Sequence, residues 1–491
     1  MQRRSFVWML GSASLGLACG DVRGPDRVAA PAPVRVPAPS GPGTIVLDGV
    51  PHVRQRPDFC GEACIEMAAR RLGRAYDQDG VFAAAAVDPA LGRGAITREL
   101  AAGAKNLGFD VGPVWTRVDA TNPGPALAGS FDRVLADLAA GVPTIVCTRF
   151  DERPQTTEHF RLVVGYDRDA DQVVYHDPAI DQGGYLRMPR ERLIDLWPLK
   201  YETDQGTLVS LPLRPADLRD PPKRTGTFEP AAYAQHVLAL KERLTALGMN
   251  GLSFRIEDPF VVVGDDTPEV LARRAQTVRW AADKLEQDFF EKRPQRILNV
   301  FLFKSAASYE RGVVRLTGDD PGTPYGFYSR QNGGLFMNIA TGGGTLVHEI
   351  VHPYVEADFD DAPAWLNEGL GSLFEQSGEE NGHIVGYTNW RLPGLQRALA
   401  RGRVPTFKAL AAMSDHAFYD EDTGTNYAQA RYLMYYLQQK GLLVRFYRAF
   451  RAAKRADPTG YATLVETLGE RDMAAFQERW SSFVMGLRFD R

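Results

Sequence analysis

The sequence His348-Glu349-Ile350-Val351-His352 decides which fold is predicted for the C-terminal half of this chain. On an α-helix, residues four apart lie on one face, so His348 and His352 can bind one metal ion while Glu349 is turned toward the open coordination position. Zinc accepts imidazole nitrogen and carboxylate oxygen in a tetrahedral shell, and a catalytic zinc keeps one position for water, whose pKa falls toward ~7. The stretch therefore predicts a zinc-binding helix, with Glu349 as the base that takes the proton of that water.

A second helix is predicted shortly after the first. Apolar residues at helical spacing run from residue 364 to residue 376, and Glu368 lies near the start of this pattern, where its carboxylate can face back toward the histidines. The pair of helices resembles the gluzincin metallopeptidases, in which a stretch similar to Trp365-Leu-Asn-Glu368-Gly supplies a glutamate as the third ligand. The resemblance implies that Zn²⁺ is bound by His348, His352 and Glu368.

Two further segments fit this resemblance. Residues 332–339 are predicted to form a strand, and in gluzincins the strand before the metal helix binds extended substrate along its edge. Tyr427 opens a helical pattern at the place where the family often has a tyrosine that polarises the scissile carbonyl. The alternative is that Tyr427 belongs to the core, as tyrosines at helical spacing usually do.

Pro353 directly follows the second histidine of the metal helix. A proline removes a helical N–H, so this helix is expected to kink or stop there.

A second set of reactive residues lies in the N-terminal half. Cys60 stands at the start of an apolar helical pattern, where the helix N-terminus favours the thiolate, and Gln55 can donate to an oxyanion. His159 opens an apolar strand of the kind that fixes a catalytic base. Asp177 is preferred to its neighbour His176 as the group that holds this imidazole, because adjacent strand residues face opposite ways.

The order of these residues resembles the papain-like peptidases that cut double-glycine leaders from bacteriocins, and especially their stand-alone relatives. The resemblance spans about residues 45–200 and implies Gln55 in the oxyanion hole, Cys60 as nucleophile, His159 as base and Asp177 as orienting group. The alternative is that Cys60 and Cys64 form a buried thiol pair or a strained disulfide, with His159 a hydrogen-bonded core histidine. Cys147, in an apolar stretch, is predicted to be a core residue.

The first 19 residues predict export from a bacterial cell. Arg3-Arg4 precede an apolar stretch, Phe6 to Ala18, that is too short to span a bilayer. The paired arginines resemble a twin-arginine signal, and Cys19 suggests lipidation. Simple cleavage or an uncleaved anchor are the alternatives. The predicted location is the bacterial envelope, with the protein attached to a membrane as a lipoprotein on its periplasmic or extracellular face.

The length, the composition and two proline-rich segments of the chain predict two domains. The chain has 491 residues, of which 44% are hydrophobic and 24% charged, and this is ample for two cores. A Pro/Ala-rich tether is predicted over residues 20–44 and a linker over residues 214–230. We therefore expect two α+β domains, a papain-like one over residues 45–213 and a gluzincin-like one over residues 231–491. The net charge of −4 gives no reason to expect a nucleic-acid partner.

The predicted function is that of an exported peptidase that hydrolyses peptides or proteins at a zinc centre and at a thiol centre. Two alternatives are a peptide-binding envelope protein whose peptidase domains have lost their chemistry, and a hydrolase of the peptides that cross-link the cell wall. The sequence does not determine the oligomeric state.

Overall fold

The computed structural model describes residues 43–119, 121–153, 156–202, 205–223, 226–419 and 424–489. These residues divide into two compact units. The N-terminal unit contains the described residues up to 223 together with Pro230–Gln235, and the C-terminal unit contains residues 226–229 and the described residues from 236 onward. The predicted export signal and the predicted tether up to residue 42 lie outside the described residues. No described helix is both long and apolar enough to cross a membrane.

An antiparallel sheet forms the body of the N-terminal unit. The strands of this unit are β1 (Ile45–Val46), β2 (Phe109–Asp110), β3 (Trp115–Asp119), β4 (Thr144–Arg149), β5 (Glu158–Asp167), β6 (Gln172–His176), β7 (Leu186–Pro189), β8 (Leu199–Glu202), β9 (Gln205–Pro212) and β10 (Arg214–Pro215). The order in the main sheet is β3-β9-β4-β5-β6-β7, with β1 paired to β5 and β8 paired to β9. Strand β10, at the start of the predicted linker, pairs with β2.

Helices cover this sheet. They are α1 (Cys60–Arg71), α2 (Gln78–Ala85), α3 (Thr97–Asn106), α4 (Gly124–Ala139) and α5 (Arg190–Leu196). Helix α1 packs against β5, and all of its residues from Cys60 to Ala69 are buried. A helix buried on every side belongs to the core, and the small residues of α1 allow this close packing. The start of α1 and the start of β5 therefore bring Cys60 and His159 into the interior of the same unit.

The C-terminal unit has a mixed sheet. Its strands are β11 (Ser253–Glu257), β12 (Phe260–Gly264), β13 (Leu298–Phe303), β14 (Gly326–Ser329) and β15 (Gly334–Asn338), and a separate hairpin consists of β16 (Ser377–Glu380) and β17 (His383–Gly386). The order is β11-β12-β13-β15-β14, and β14 lies antiparallel to β15 at the edge. The prediction that residues 332–339 offer a free edge to substrate was wrong, because β15 is paired on both sides. The free edge near the metal helix belongs to β14.

Helices make up the rest of the C-terminal unit. After α6 (Pro230–Ala246), which begins in the N-terminal unit, they are α7 (Pro268–Asp288), α8 (Ala306–Thr317), α9 (Gly344–Asp358), α10 (Ala364–Leu373), α11 (Leu392–Ala400), α12 (Phe407–Ala411), α13 (Asp415–Tyr419), α14 (Thr425–Gln439), α15 (Leu443–Ala453), α16 (Tyr461–Leu468) and α17 (Met473–Gly486). Helix and sheet are thus mixed in both units, as predicted.

The metal helix α9 does not stop at Pro353. It continues to Asp358, although the proline cannot donate to the carbonyl group of Glu349. The next two residues, Tyr354 and Val355, are buried, and this packing outweighs the missing hydrogen bond. Gly371 lets α10 pack closely on α9, because a Cβ atom there would lie 3.1 Å from the imidazole of His348 and crowd that ring.

Candidate active sites

The thiol of the N-terminal unit lies at the first residue of α1. The Cys60 side chain is buried, and burial raises the pKa of its thiol to about 12. The backbone N–H groups of Phe160 and Gly61 donate to the sulfur and oppose this shift. Phe160 follows His159 on β5, so the hydrogen bond from Phe160 brings the start of β5 against the thiol.

His159 is paired with the predicted orienting group. Its Nε2 lies 2.7 Å from Oδ1 of Asp177, which directly follows β6. This pairing leaves Nδ1 as the ring nitrogen that can accept the thiol proton. Burial lowers the pKa of His159, and the hydrogen bond to Asp177 only partly offsets that effect. The imidazole is therefore neutral in the free protein, like the thiol.

The Asp177 carboxylate is kept ionised by its neighbours. Arg161 Nε donates to its Oδ2 at 3.0 Å, and the backbone N–H of Ala179 donates to its Oδ1 at 2.9 Å. Burial opposes ionisation, but the hydrogen bond from His159 and the charge of Arg161 hold the pKa of Asp177 at about 2. Asp177 can therefore stabilise the His159 cation without taking its proton.

His176 faces away from this pair. Its ring packs edge-on against Tyr185, with ring centres 4.6 Å apart, and against His52, with ring centres 6.0 Å apart. Burial lowers the pKa of His176 to about 4, so it is neutral at physiological pH. Its position is that of a core histidine.

The three described cysteines, Cys60, Cys64 and Cys147, are buried and free. The alternative of a disulfide between Cys60 and Cys64 is therefore wrong. Cys147 belongs to the hydrophobic core, where its stretch of sequence predicted it.

Gln55, the predicted oxyanion donor, lies on the segment that precedes α1. Its backbone N–H donates to the carbonyl of Pro178 at 2.9 Å, so its main chain is tied to the residue after Asp177. The side-chain Oε1 is buried and has no hydrogen-bond partner. The structure thus places four predicted residues, Gln55, Cys60, His159 and Asp177, on three connected segments of one unit.

In the C-terminal unit, α10 brings Glu368 to His348, and α9 brings His348 and His352 close to Glu349. The Nε2 of His348 lies 3.2 Å from Oε2 of Glu368. Ligand atoms of His348, Glu349 and His352 all lie within 4.8 Å of one another. Two carboxylates are therefore close to the histidines, but they differ in their other contacts. Glu349 Oε2 accepts the backbone N–H of Tyr328 at 2.8 Å, whereas Glu368 directs Oε2 at His348.

The donor set fits zinc. Two atoms bound to zinc at about 2.05 Å in a tetrahedral shell lie roughly 3.3 Å apart, and the distance between His348 and Glu368 agrees with this. The Nδ1 of His352 is 2.9 Å from Oδ1 of Asn367, so its Nε2 is the nitrogen left for a metal. For His348, Nδ1 lies 3.3 Å from Oε1 of Glu375, close enough for an ion pair but poorly aligned for a hydrogen bond. Each Nδ1 thus faces a polar group, Asn367 for His352 and Glu375 for His348, as is usual for metal-ligating histidines.

Carboxylates dominate the charge of this site. Burial lowers the pKa of His348, but the carboxylates of Glu368 and Glu375 outweigh burial and raise it to about 10. Burial likewise opposes ionisation of these two acids. The charges of His352 and His348 and the hydrogen bonds with His348 and Tyr419 hold the pKa of Glu368 at about 2, and Arg391 and His348 do the same for Glu375. Burial raises the pKa of Glu349. The cluster therefore favours a cation.

Two tyrosines approach the cluster. Tyr427, the predicted one, has its pKa raised by burial and by the charge of Glu368, and the guanidinium of Arg391 lies over its ring at 5.2 Å. Tyr419 donates its hydroxyl to Oε1 of Glu368 at 2.9 Å. The sequence analysis missed Tyr419, because it lies on the short helix α13, which has no clear periodicity.

The cluster opens into a cavity of about 730 Å³, large enough for a short segment of peptide. Strand β14 lines it together with α9, α10 and both tyrosines. The sequence analysis also missed Asn367, Glu375 and Arg391. The position of Asn367 beside Glu368 was a usable signal, but Glu375 and Arg391 meet only through the tertiary fold.

Comparison with known proteins gives a different result for each half of the chain. Residues 47–203 match the Peptidase_C39 like family. This match bears out the predicted resemblance of the N-terminal half and supports a cysteine-peptidase-like function for it. Residues 340–458 match DUF1570, a family of proteins of unknown function, so the gluzincin resemblance stays a prediction. No curated protein matches the chain.

Two solved structures are similar to part of the chain. The peptidase domain of Streptococcus ComA, a bifunctional ABC transporter involved in a quorum-sensing pathway, is 19% identical, and the alignment covers 32% of this chain and 96% of that one with a TM-score of 0.22. Xylellain, a cysteine protease from Xylella fastidiosa, is 13% identical, and the alignment covers 36% of this chain and 87% of that one with a TM-score of 0.25.

Proposed function

We propose that this protein is an exported bacterial peptidase with two catalytic centres, a thiol centre in the N-terminal unit and a zinc centre in the C-terminal unit. Export and membrane attachment rest on residues 1–19, and the domains are those expected from the sequence, 45–213 and 231–491. The substrates are peptides or proteins. The observation that carries the proposal is that each unit holds an imidazole–carboxylate pair, 2.7 Å apart at His159–Asp177 and 3.2 Å apart at His348–Glu368.

At the thiol centre, the sulfur of Cys60 attacks the scissile carbonyl carbon. His159 takes the thiol proton through Nδ1 and later gives it to the leaving amine, while Asp177 stabilises the cation. Water then hydrolyses the acyl thioester, with His159 taking the water proton and returning it to the thiolate. Gln55 and the N–H groups at the start of α1 receive the oxyanion. Because burial keeps thiol and imidazole neutral in the free protein, proton transfer accompanies attack on bound substrate.

At the zinc centre, His348, His352 and Glu368 would hold the ion. Bound zinc supplies Lewis acidity, which lowers the pKa of water and polarises a carbonyl group. Glu349 accepts the proton of the attacking water and passes it to the leaving amine. A tyrosine hydroxyl from Tyr427 or Tyr419 donates to the carbonyl oxygen.

A peptide-library cleavage assay on the full chain tests both centres. We expect Cys60→Ala to remove one set of cleavages and Glu349→Gln to remove another, with Asp171→Asn, an exposed partner of Arg190, as a control that removes neither. If Cys60→Ala leaves every cleavage intact, the thiol centre is refuted, and the same result for Glu349→Gln refutes the zinc centre. A wild-type protein that cuts nothing would point to a peptide-binding protein instead.

A further inference from the structure

Helix α1 carries two buried glutamates that the proposed chemistry does not use. Glu62 and Glu66 lie one helical turn apart, with exposed fractions of 0% and 2%. A buried carboxylate is costly unless it is hydrogen-bonded, so the partners of these two side chains indicate what they stabilise.

Glu62 holds the segment Gly94–Ala95. Its Oε1 accepts the backbone N–H of Ala95 at 2.7 Å, and Oδ2 of Asp58 accepts the backbone N–H of Gly94 at 3.0 Å. A Cβ atom at Gly94 would collide with the carbonyl oxygen of Asp58. The segment therefore lies directly against the residues on both sides of Cys60.

Glu66 is linked by a hydrogen bond to Gln78, a buried residue at the start of α2 that contacts the backbone around Gln55. Gln78 Nε2 donates to Oε2 of Glu66 at 3.2 Å and to the carbonyl of Arg54 at 3.1 Å. Its Oε1 accepts the backbone N–H of Arg56 at 2.8 Å. One side-chain amide thus holds the main chain immediately before and immediately after Gln55.

We propose that Glu62 and Gln78 are positioning residues of the thiol centre. Glu62 fixes the segment Gly94–Ala95 beside the nucleophile, and Gln78, itself held by Glu66, fixes the backbone from which Gln55 reaches the oxyanion. The inference rests on the proposed function of the N-terminal unit. Its physical basis is that a reactive site works only when surrounding hydrogen bonds hold its groups to within a fraction of an ångström.

Above about pH 8, where it is ionised, Glu62 also carries charge toward the thiol. Burial, together with the charges of Asp58 and Glu99, raises the pKa of Glu62 to about 8. Among the neighbouring groups, Glu99 is paired with Arg93 at 2.7 Å. An ionised Glu62 raises the pKa of Cys60, so the charge of Glu62 opposes the thiolate while its hydrogen bond supports the site.

Three variants of the full chain separate these effects. We expect Gln78→Ala to lower kcat for Cys60-dependent cleavage by on the order of 10²-fold with KM nearly unchanged, as for loss of an oxyanion donor. Glu62→Ala should lower kcat/KM at least about tenfold, because the segment Gly94–Ala95 is released. Glu62→Gln keeps an acceptor for Ala95, so cleavage should be largely retained, and alkylation of Cys60 by iodoacetamide should shift to lower pH.

A control variant and the alkylation rate show that the fold is intact. Asp137→Asn removes another buried acid of this unit, which pairs with Arg214, and should leave kcat unchanged. Cys60 in Gln78→Ala should be alkylated at the wild-type rate. If the wild type cleaves and Gln78→Ala cleaves with equal kcat, or if Glu62→Gln is as impaired as Glu62→Ala, the inference is overturned. A wild type without Cys60-dependent cleavage overturns the proposed thiol function instead.

Discussion

The two candidate centres differ in how their charges are balanced. At the thiol centre, the orienting carboxylate, Asp177, is neutralised by Arg161 and hydrogen-bonded to His159. At the zinc centre, Glu349, Glu368 and Glu375 surround two histidines, and the pKa of His348 rises to about 10. The groups proposed for the first centre are all protein groups, whereas the second is proposed to hold a cation as well. The thiol centre should therefore work without a metal, and the zinc centre should not.

The largest expected effect concerns the orienting carboxylate of the thiol centre. Asp177→Asn keeps the shape of the side chain but loses the charge that stabilises the His159 cation, so kcat for Cys60-dependent cleavage should fall by about 10⁴-fold. Glu349-dependent cleavage by the same protein, measured on its own peptides, should not change. A fall in both activities would break the separation of the two centres.

The next effect concerns zinc affinity. Glu368→Gln removes the carboxylate that faces His348, and the dissociation constant for zinc, measured by competition with a chromophoric chelator, should rise more than about 10²-fold. Glu356→Gln is the matched control, because Glu356 lines the same cavity but is bonded to Tyr328 rather than to the histidines. Equal affinities for Glu368→Gln and Glu356→Gln would exclude Glu368 as a ligand.

A third effect concerns protein stability at acid pH, and it tests the charge of Asp177 at the thiol centre. The pKa of Asp177 is about 2 in the folded protein, below its ordinary value, so its ionised form adds stability above about pH 4 that is lost as the pH falls toward 2. Asp177→Asn should therefore destabilise the N-terminal unit by about 2 kcal/mol at pH 7 and by almost nothing near pH 2. Urea unfolding followed by circular dichroism measures both values. A loss that is the same at both pH values would contradict the assignment.

The smallest effect distinguishes the two tyrosines. Tyr419 touches a predicted zinc ligand, whereas Tyr427 lies over the same cavity without that contact. Tyr419→Phe should weaken zinc binding roughly tenfold, and Tyr427→Phe should lower kcat at an unchanged zinc content. The opposite pattern would exchange their roles.

The sequence predicted what depends on local spacing. The faces of α9 and α10 follow from helical periodicity, and the choice of Asp177 over His176 follows from the alternation of a strand. What depends on tertiary neighbours was not predictable. Sheet order decides that β14 and not β15 is the free edge, and Glu375, Gln78 and Tyr419 show their importance only through partners that are distant in sequence. Helix α9 continues past Pro353 rather than stopping there, because the packing of Tyr354 and Val355 outweighs one lost hydrogen bond.

Removal of metal from the full-length protein with a chelator tests most directly the proposed difference in metal dependence between the two centres. Peptide cleavage is measured before treatment, after removal of metal, and after zinc is added back. The account predicts that chelation abolishes the Glu349-dependent cleavages, that zinc restores them, and that the Cys60-dependent cleavages persist throughout. Cleavage that is wholly insensitive to chelation, or a loss of both sets together, would contradict it.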